Sequence, residues 1–469
     1  MEFIGRENEL AFLESEYARK SSYVAFIGRQ GFGQSAILNV FARGKNAFFF
    51  SALIETENKC RRRFVRYLEK YTGAAYLKGK TFESWEGLFR AIGDYKPEEK
   101  KLVIIDDVQF LIESNPNFFA ILRKCWDEFL SEKNLMLITA GPIMTTTVRH
   151  YSSKDGLFKD GVVKSLQLRA FHFLELRVHH PTLTFSQLVE LYTFTGGVPQ
   201  YLDMFGHGDR IMDDLEEQVM EKTGARYEMP LQMLEKEVRE PATYFSILDV
   251  IAQGNSRLQD IAKALELQAN YLGPYLSLLI KLNLVERRVP VTEPFPGKSR
   301  KGMYCICDHF LDFWFQFISP YRVELEQRNT KYVRSILESQ YIEKLVKPSY
   351  MEVCTEIFLH MCRNGNIPFS ATRTGLHWNG DNTSHIDLIA IDSVNNRLFA
   401  ASCYYLREGQ QAPSDAYADL VRKIAGIEEL AGFEDVSYGF FTNREFNPTL
   451  ISLANEKDNI YLIKDIDLL

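Results

Sequence analysis

The sequence predicts an α/β chain: a doubly wound parallel sheet first, then a helical middle, then a second α/β domain. Three observations predict it. Four apolar runs, "YVAFIG", "NAFFFSAL", "KLVIIDD" and "LMLITAG", alternate with helical stretches in the first third. Runs apolar at every position suit parallel strands buried on both faces, and their alternation with helices implies right-handed βαβ crossovers. Next, the amphipathic stretches "PATYFSILDVIAQG", "SRLQDIAKALEL" and "NYLGPYLSLLIKLNLV" run into a ribbon-like segment, "LVERRVPVTEP" to "KGMYCICD". Third, from Tyr350 onward the pattern is helix, strand, strand, helix, strand.

Bulk properties agree with a globular chain. With 469 residues there is room for about three domains of roughly 150 each. The hydrophobic fraction of 46% and charged fraction of 25% are ordinary for a folded soluble protein. A core of this size needs no disulfide or metal staple. The seven cysteines show no C-x-x-C pair or zinc spacing, so reduced thiols and a cytoplasmic location are expected. The segment "MEFIGRENEL" lacks the basic and apolar regions of a secretory signal, and no apolar run approaches the roughly 20 residues of a membrane helix. A net charge of −7 excludes a uniformly basic surface but allows a local nucleic-acid patch.

Within the first strand–helix unit, "VAFIGRQGFGQSAIL" carries the chemistry. The spacing from Gly28 to Gly33 to Ser35 is that of the phosphate-binding P-loop, G-x-x-x-x-G-K-S/T, with Gln34 in place of lysine. Backbone N–H groups from Gly28, Arg29, Gly31, Gly33, Gln34, Ser35 and Ala36 can wrap a phosphate at a helix N-terminus, and the Ser35 hydroxyl can hold Mg²⁺. Asp106 and Asp107 close a buried strand, the position from which Asp106 can bind Mg²⁺ and Asp107 can orient a catalytic water. Thr139, on "LMLITAG", is a candidate sensor of the γ-phosphate. The plain alternative is a tight strand-to-helix turn with an Asp pair acting as a helix cap. Further along, "RRRFVRYLEKYTG" predicts a helix capped by Gly73.

The lead-in "FIGRENELAFLE" resembles the opening signature of the prokaryotic "archaeal ATPase" family, P-loop ATPases related to the STAND class. "TGGVPQYLDMF", "EPATYFSILDVIAQGNSRLQDIA" and "YLSLLIKLNLVERRVPVTEPFPGKSRKGMYCICDHFLDFWFQFI" resemble the same family's tail, so the likeness covers nearly the whole chain. It implies an ATPase core over 1–180, a helical lid over 181–237 with Pro199 near the nucleotide base, a winged helix-turn-helix over 238–320, a helical linker over 321–345 and a restriction-endonuclease-like, PD-(D/E)xK-type domain over 346–469. ATP and Mg²⁺ are the implied cofactors, and DNA or a protein the implied partner.

The departures from that family pattern are specific. Gln34 replaces the P-loop lysine, Asp107 stands where a longer glutamate is usual, and "SSKDGLFKDGVVKSLQL" offers Lys159 but no arginine after the sensor strand. A charge-assisted hydrogen bond contributes about 1.5–3 kcal/mol and a neutral one about 0.5–1.5. Gln34 should therefore weaken phosphate binding about tenfold, and hydrolysis more, because the transition state spreads negative charge.

In the middle, "NYLGPYLSLLIKLN" would be the recognition helix, with Gly273-Pro274 marking a turn ahead of the helix proper. Arg287, Arg288, Lys298, Arg300 and Lys301 form a basic ribbon suited to sequence-independent phosphate contacts, or equally a solvated protein-binding wing. Phe310, Phe313, Trp314 and Phe317 at helical spacing read as core. At the C-terminal end, Asp387 and Glu356 (with Glu352 as the lesser candidate) match acidic positions of a nuclease centre. Ser402 and Tyr404 stand where the second carboxylate and the lysine belong. A two-carboxylate Mg²⁺ site is thus incomplete, and DNA cleavage is not expected unless Arg407 and Glu408 shift into register. The resulting expectation is a P-loop protein binding ATP weakly or not at all, impaired in hydrolysis, and acting as a nucleotide-responsive or scaffolding factor. A slow but functional ATPase and a pure interaction scaffold are the alternatives.

Overall fold

Five parallel strands form the first sheet: β1 (Ser21–Gly28), β2 (Ala47–Ser51), β3 (Lys101–Asp106), β4 (Leu135–Pro142) and β5 (Val163–Gln167), in the order β2-β3-β4-β1-β5. They belong to a computed structural model that describes residues 5–142, 161–205, 208, 210–238, 240–379 and 385–464. The four apolar runs are β1 to β4. Tyr23, Phe48, Phe50, Phe64, Trp85, Phe89 and Trp126 fill a core against helices Glu57–Thr72, Trp85–Asp94 and Phe118–Glu128. Gly73 closes the first of these helices at φ 80°, the left-handed cap expected of it. The β5 strand was not expected: its residues "VKSLQ" are mostly exposed, as suits an edge strand paired only with β1.

The chain divides into two units. The first comprises Met1–Ala170 with Val198–Gln200 and Glu237–Arg239, so two short segments from far along the sequence belong to the unit that carries the loop. The second comprises Phe171–Gly197, Tyr201–Lys236 and Glu240–Leu469.

In the second unit, helix Phe185–Thr195 starts at a Thr184/Gln187 capping box and stops at Gly196, φ 54°. Helices Pro241–Ala252, Leu258–Ala264 and Ala269–Lys281 follow, then an antiparallel pair, β6 (Val285–Arg288) and β7 (Met303–Ile306). The expected turn at Gly273-Pro274 is absent, since Pro274 lies inside the continuous helix Ala269–Lys281. Burial of Leu272, Leu276 and Leu279 along one face offsets the single backbone bond that proline forgoes. Helix His309–Phe317 buries Phe310, Phe313, Trp314 and Phe317, the core stripe its spacing predicts.

A second five-stranded sheet completes the unit: β8 (Arg373–Trp378), β9 (His385–Asp392), β10 (Arg397–Tyr404), β11 (Asp435–Thr442) and β12 (Ile460–Lys464), in the order β12-β11-β10-β9-β8. β8, β9 and β10 pair antiparallel, whereas β10, β11 and β12 pair parallel. Helix Lys347–Arg363 precedes this sheet and helix Ala416–Ala425 crosses from β10 to β11. Among the described residues no helix is long and apolar enough to cross a membrane.

Candidate functional site

β1 ends at Gly28, and the loop after it enters helix Gln34–Ala42. Gly31 (φ 92°) and Gly33 (φ 88°) both adopt the left-handed conformation that glycine alone enters without strain. At Gly31 a side chain is excluded twice over, because a Cβ would stand 2.2 Å from Oε1 of Gln200. The Gln200 N–H donates to the Gly31 carbonyl at 3.1 Å. From the other direction, the buried Arg6 guanidinium donates to the Phe32 carbonyl at 3.3 Å. Two residues remote in sequence thus fix the outer rim of the loop. Ser35 and Ala36 are exposed at the start of the helix, and the N-cap Gly33 supplies no side chain to satisfy the first amides. An anion is the natural partner for such a terminus.

Gln34 does something its spacing does not reveal. Its side-chain amide donates to the Phe26 carbonyl at 3.0 Å and to the Gly141 carbonyl at 3.2 Å. Both amide protons are therefore spent on the ends of β1 and β4, and the Gln34 side chain reaches back to the sheet.

The cation side is intact. Ser35 Oγ donates to Asp106 Oδ2 at 2.7 Å, bringing together the two groups the sequence assigned to Mg²⁺. Burial pushes the Asp106 carboxyl up; the Ser35 hydrogen bond counters this, and neighbouring Asp107 adds to it. A desolvated carboxylate of this kind gains from a bound cation.

Asp107 sits at φ 56°, accepting from Ser51 Oγ at 2.9 Å and from Gln109 Nε2 at 3.1 Å. Both of its oxygens are engaged, and the sequence reading had missed Ser51 and Gln109. Thr139 requires a correction. It is fully buried, with its hydroxyl 3.4 Å from the Tyr23 hydroxyl, and pairs in register with Ile105 rather than with the strand-ending Asp106. Its side chain belongs to the core and does not sense a phosphate.

Arg29 is 5% exposed and lies over the Phe32 ring. Close by is Glu237, 7% exposed, with one carboxylate oxygen lacking any hydrogen-bond partner. Burial pushes its carboxyl up to about 7, against the attraction of Arg29. Pro199, expected near the base, belongs to the same unit as the loop, beside Gln200. Lys159 lies outside the described residues.

This arrangement fits a nucleotide with Mg²⁺: two left-handed glycines, an uncapped helix start and a Ser35–Asp106 pair at cation-binding position. An ATPase domain found predominantly in Archaea matches residues 3–205. Residues 3–205, the part of the chain that holds this site, are thus similar to an archaeal ATPase domain. A family of archaeal and bacterial proteins of unknown function matches residues 314–413.

An uncharacterized protein of Methanocaldococcus jannaschii is 27% identical over 441 residues, covering 92% of this chain and 93% of the relative. A second, shorter one from the same organism is 30% identical over 95 residues, 20% of this chain and 84% of its own length. Among solved structures, a Walker-type ATPase of Pyrococcus abyssi superposes with a TM-score of 0.50 at 17% identity, covering 67% of this chain and 96% of that one. At that identity the likeness concerns the fold.

The acidic residues of the C-terminal sheet are dispersed. Glu356 accepts from the backbone N–H of Phe173 and of Leu174, each at 2.9 Å, so it caps helix Phe173–His179 and does not join Asp387. Asp387 accepts from the Cys403 N–H at 2.8 Å and lies 3.3 Å from His385 Nε2. Ser402 is buried and Tyr404 packs on the sheet's core. The β10–β11 register runs unbroken from Arg397 to Tyr404, and Arg407 and Glu408 lie exposed beyond it, so no shift brings them in. Among the described residues there is no metal-binding group of three or more acidic, Cys or His side chains. Glu356→Ala is expected to lower stability by about 1–2 kcal/mol, as loss of a helix cap does, measured by chemical denaturation.

The basic ribbon is also largely self-satisfied. Arg287 donates to the carbonyls of Pro296 (3.1 Å) and Ser299 (2.6 Å), Arg288 pairs with Glu286 and Glu352, and Lys301 pairs with Glu293 at 2.7 Å. Only Lys298 and Arg300 of the five predicted residues are exposed. The expected five-residue phosphate patch is corrected to these two.

Proposed function

We propose that this protein binds an ATP-type nucleotide with Mg²⁺ weakly, hydrolyses it poorly, and serves as a nucleotide-responsive scaffold. The observation that carries the reading is the contrast between Ser35 and Gln34. Ser35 and Asp106 stay poised for a cation, whereas the residue at the lysine position is committed to two backbone carbonyls. Ser35 and Asp106 would hold the Mg²⁺, which would supply positive charge beside the phosphates. The loop amides from Gly31 to Ala36 would bind phosphate oxygens, and Pro199 and Gln200 would stand beside the loop. With the lysine charge gone and Asp107 held by Ser51 and Gln109, little remains to orient a water or stabilise a transition state.

For the second unit we propose a winged-helix segment over 238–320 and a PD-(D/E)xK-like domain over 346–469 that has lost its metal centre. Lys298 and Arg300 at the ribbon tip give DNA a small foothold, and a protein partner suits the remaining polar surface as well.

Thermal unfolding with and without Mg-ATP tests the nucleotide reading. Wild type should gain a small, Mg²⁺-dependent shift, Ser35→Ala should lose it, and Gln34→Lys should enlarge it. A ligand at a hundredfold its Kd stabilises by about 2.7 kcal/mol. No shift in wild type or in Gln34→Lys, at millimolar Mg-ATP, rules the reading out.

A further inference from the structure

Within the second unit lies a cavity of about 340 Å³, large enough for a small molecule. Its walls include Arg288 at the end of β6, His309, Asp312 and Gln316 on helix His309–Phe317, Lys344, and Glu352 on helix Lys347–Arg363. The charges in it are mostly matched. Glu352 accepts from Arg288 at 2.6 Å and from His309 Nε2 at 3.1 Å, while Glu286 takes the other side of Arg288. The second ring nitrogen of His309 lies 3.1 Å from the Tyr192 carbonyl, so both nitrogens face acceptors and the ring is held as imidazolium. Burial is the largest influence and would lower the His309 pKa, but the hydrogen bond and charge of Glu352, with the charges of Asp308 and Asp312, together raise it. Arg288 and His309 against Glu352 and Glu286 sum to zero.

Asp312 is left over. It stands one turn along from His309 and forms no ion pair among the described residues; its neighbour is the Gln316 amide. Lys344, the remaining cation of the wall, is exposed at the rim and lies over the Phe317 ring at 5.5 Å. Asp312 feels His309 and Arg288 only at a distance, since both are bound to Glu352; a buried carboxylate with no ion pair of its own, facing a cavity, is costly to ionise, and a bound cation removes that cost. Burial accordingly pushes the Asp312 carboxyl up to about 6, with Gln316 and then His309 opposing.

We propose that this cavity is a binding site for a small organic cation, a primary ammonium seated on Asp312 with its apolar stem in the cavity. The absence of any three-ligand metal cluster among the described residues sets it apart from a metal site. The site is independent of the nucleotide reading, since none of its residues belongs to the first unit.

n-Butylamine is a suitable probe, with 1-butanol as its uncharged isostere and sodium chloride at matched ionic strength as the salt control. On the full chain, butylamine should raise the unfolding midpoint and bind calorimetrically, whereas the alcohol and the salt should not. Asp312→Asn should weaken binding at least tenfold, and Lys331→Ala, at an exposed position outside the cavity, should leave it unchanged. Should Asp312→Asn fold poorly, the pH dependence of wild type decides. Binding requires ionised Asp312, so affinity should rise about tenfold from pH 5 to pH 7, the change in ionised fraction for a group titrating near 6. Glu352 and Arg288 keep their charges across that range. Equal effects of butylamine and butanol, undiminished binding to a folded Asp312→Asn, or a pH-independent affinity would each overturn the proposal.

Discussion

Glu237→Gln is expected to stabilise the protein at pH 8 and to change little near pH 4.5. The carboxyl of Glu237 is raised from 4.5 to about 7 because it is buried, with Arg29 only partly compensating. A raised acid means the folded state prefers the proton. The penalty is therefore absent below the unfolded value of 4.5, grows as pH climbs to 7, and is complete above it. The difference of 2.5 units corresponds to at most about 3 kcal/mol at 1.36 kcal/mol per unit. Glutamine cannot ionise, so the variant's stability should stay flat where that of wild type falls, as urea titrations at the two pH values will register. A second consequence follows at the loop. Arg29 loses an opposing charge in the variant, so Mg-ATP should bind more tightly to it at pH 8. Parallel stability curves for variant and wild type from pH 4.5 to pH 8 would contradict this account.

Gln34→Ala should destabilise the first unit by about 1–3 kcal/mol, even with no nucleotide present. Its amide spans the Phe26 and Gly141 carbonyls, and a buried acceptor left without its donor costs about 1–3 kcal/mol. At roughly 2–4 °C per kcal/mol for a unit of this size, the melting midpoint should fall by several degrees. Gln34→Glu should be at least as damaging, since a carboxylate accepts where a donor is required. A residue that merely faced solvent, waiting for phosphate, would give no such loss. An unchanged midpoint in Gln34→Ala would show that the sheet does not depend on this side chain.

Much of the fold was legible because burial writes itself into composition. β1, β3 and β4 each hold a continuous apolar run, which marks strands covered on both faces, β2 is apolar but buries alternate residues, and Gly73 and Gly196 mark helix ends. β5 escaped because "VKSLQ" is an edge strand with exposed side chains, and nothing apolar announced it. The Ser35–Asp106 pair could be read from motif order alone. Gln34 could not, because spacing locates a Cα and says nothing of which carbonyls a side chain reaches. Thr139 failed for the same reason: residues alternate faces along a strand, and its hydroxyl points to Tyr23. Arg6 lies in "GRENEL", a stretch whose pattern marks a family resemblance and gives no sign that the side chain anchors the loop. Glu237 and Gln200 lie too far along the chain for any local pattern to place them beside it.

The capping role of Glu356 bears on the evolutionary history open to the C-terminal sheet. To assemble a metal centre around Asp387, a lineage would have to release Glu356 from two backbone amides, place a carboxylate at Ser402 and a lysine at Tyr404. The first step costs stability and yields no activity, and neither of the others yields activity alone. Selection meets a descent in every direction before any ascent. A domain in that position is free to diverge at its surface while its interior stays fixed.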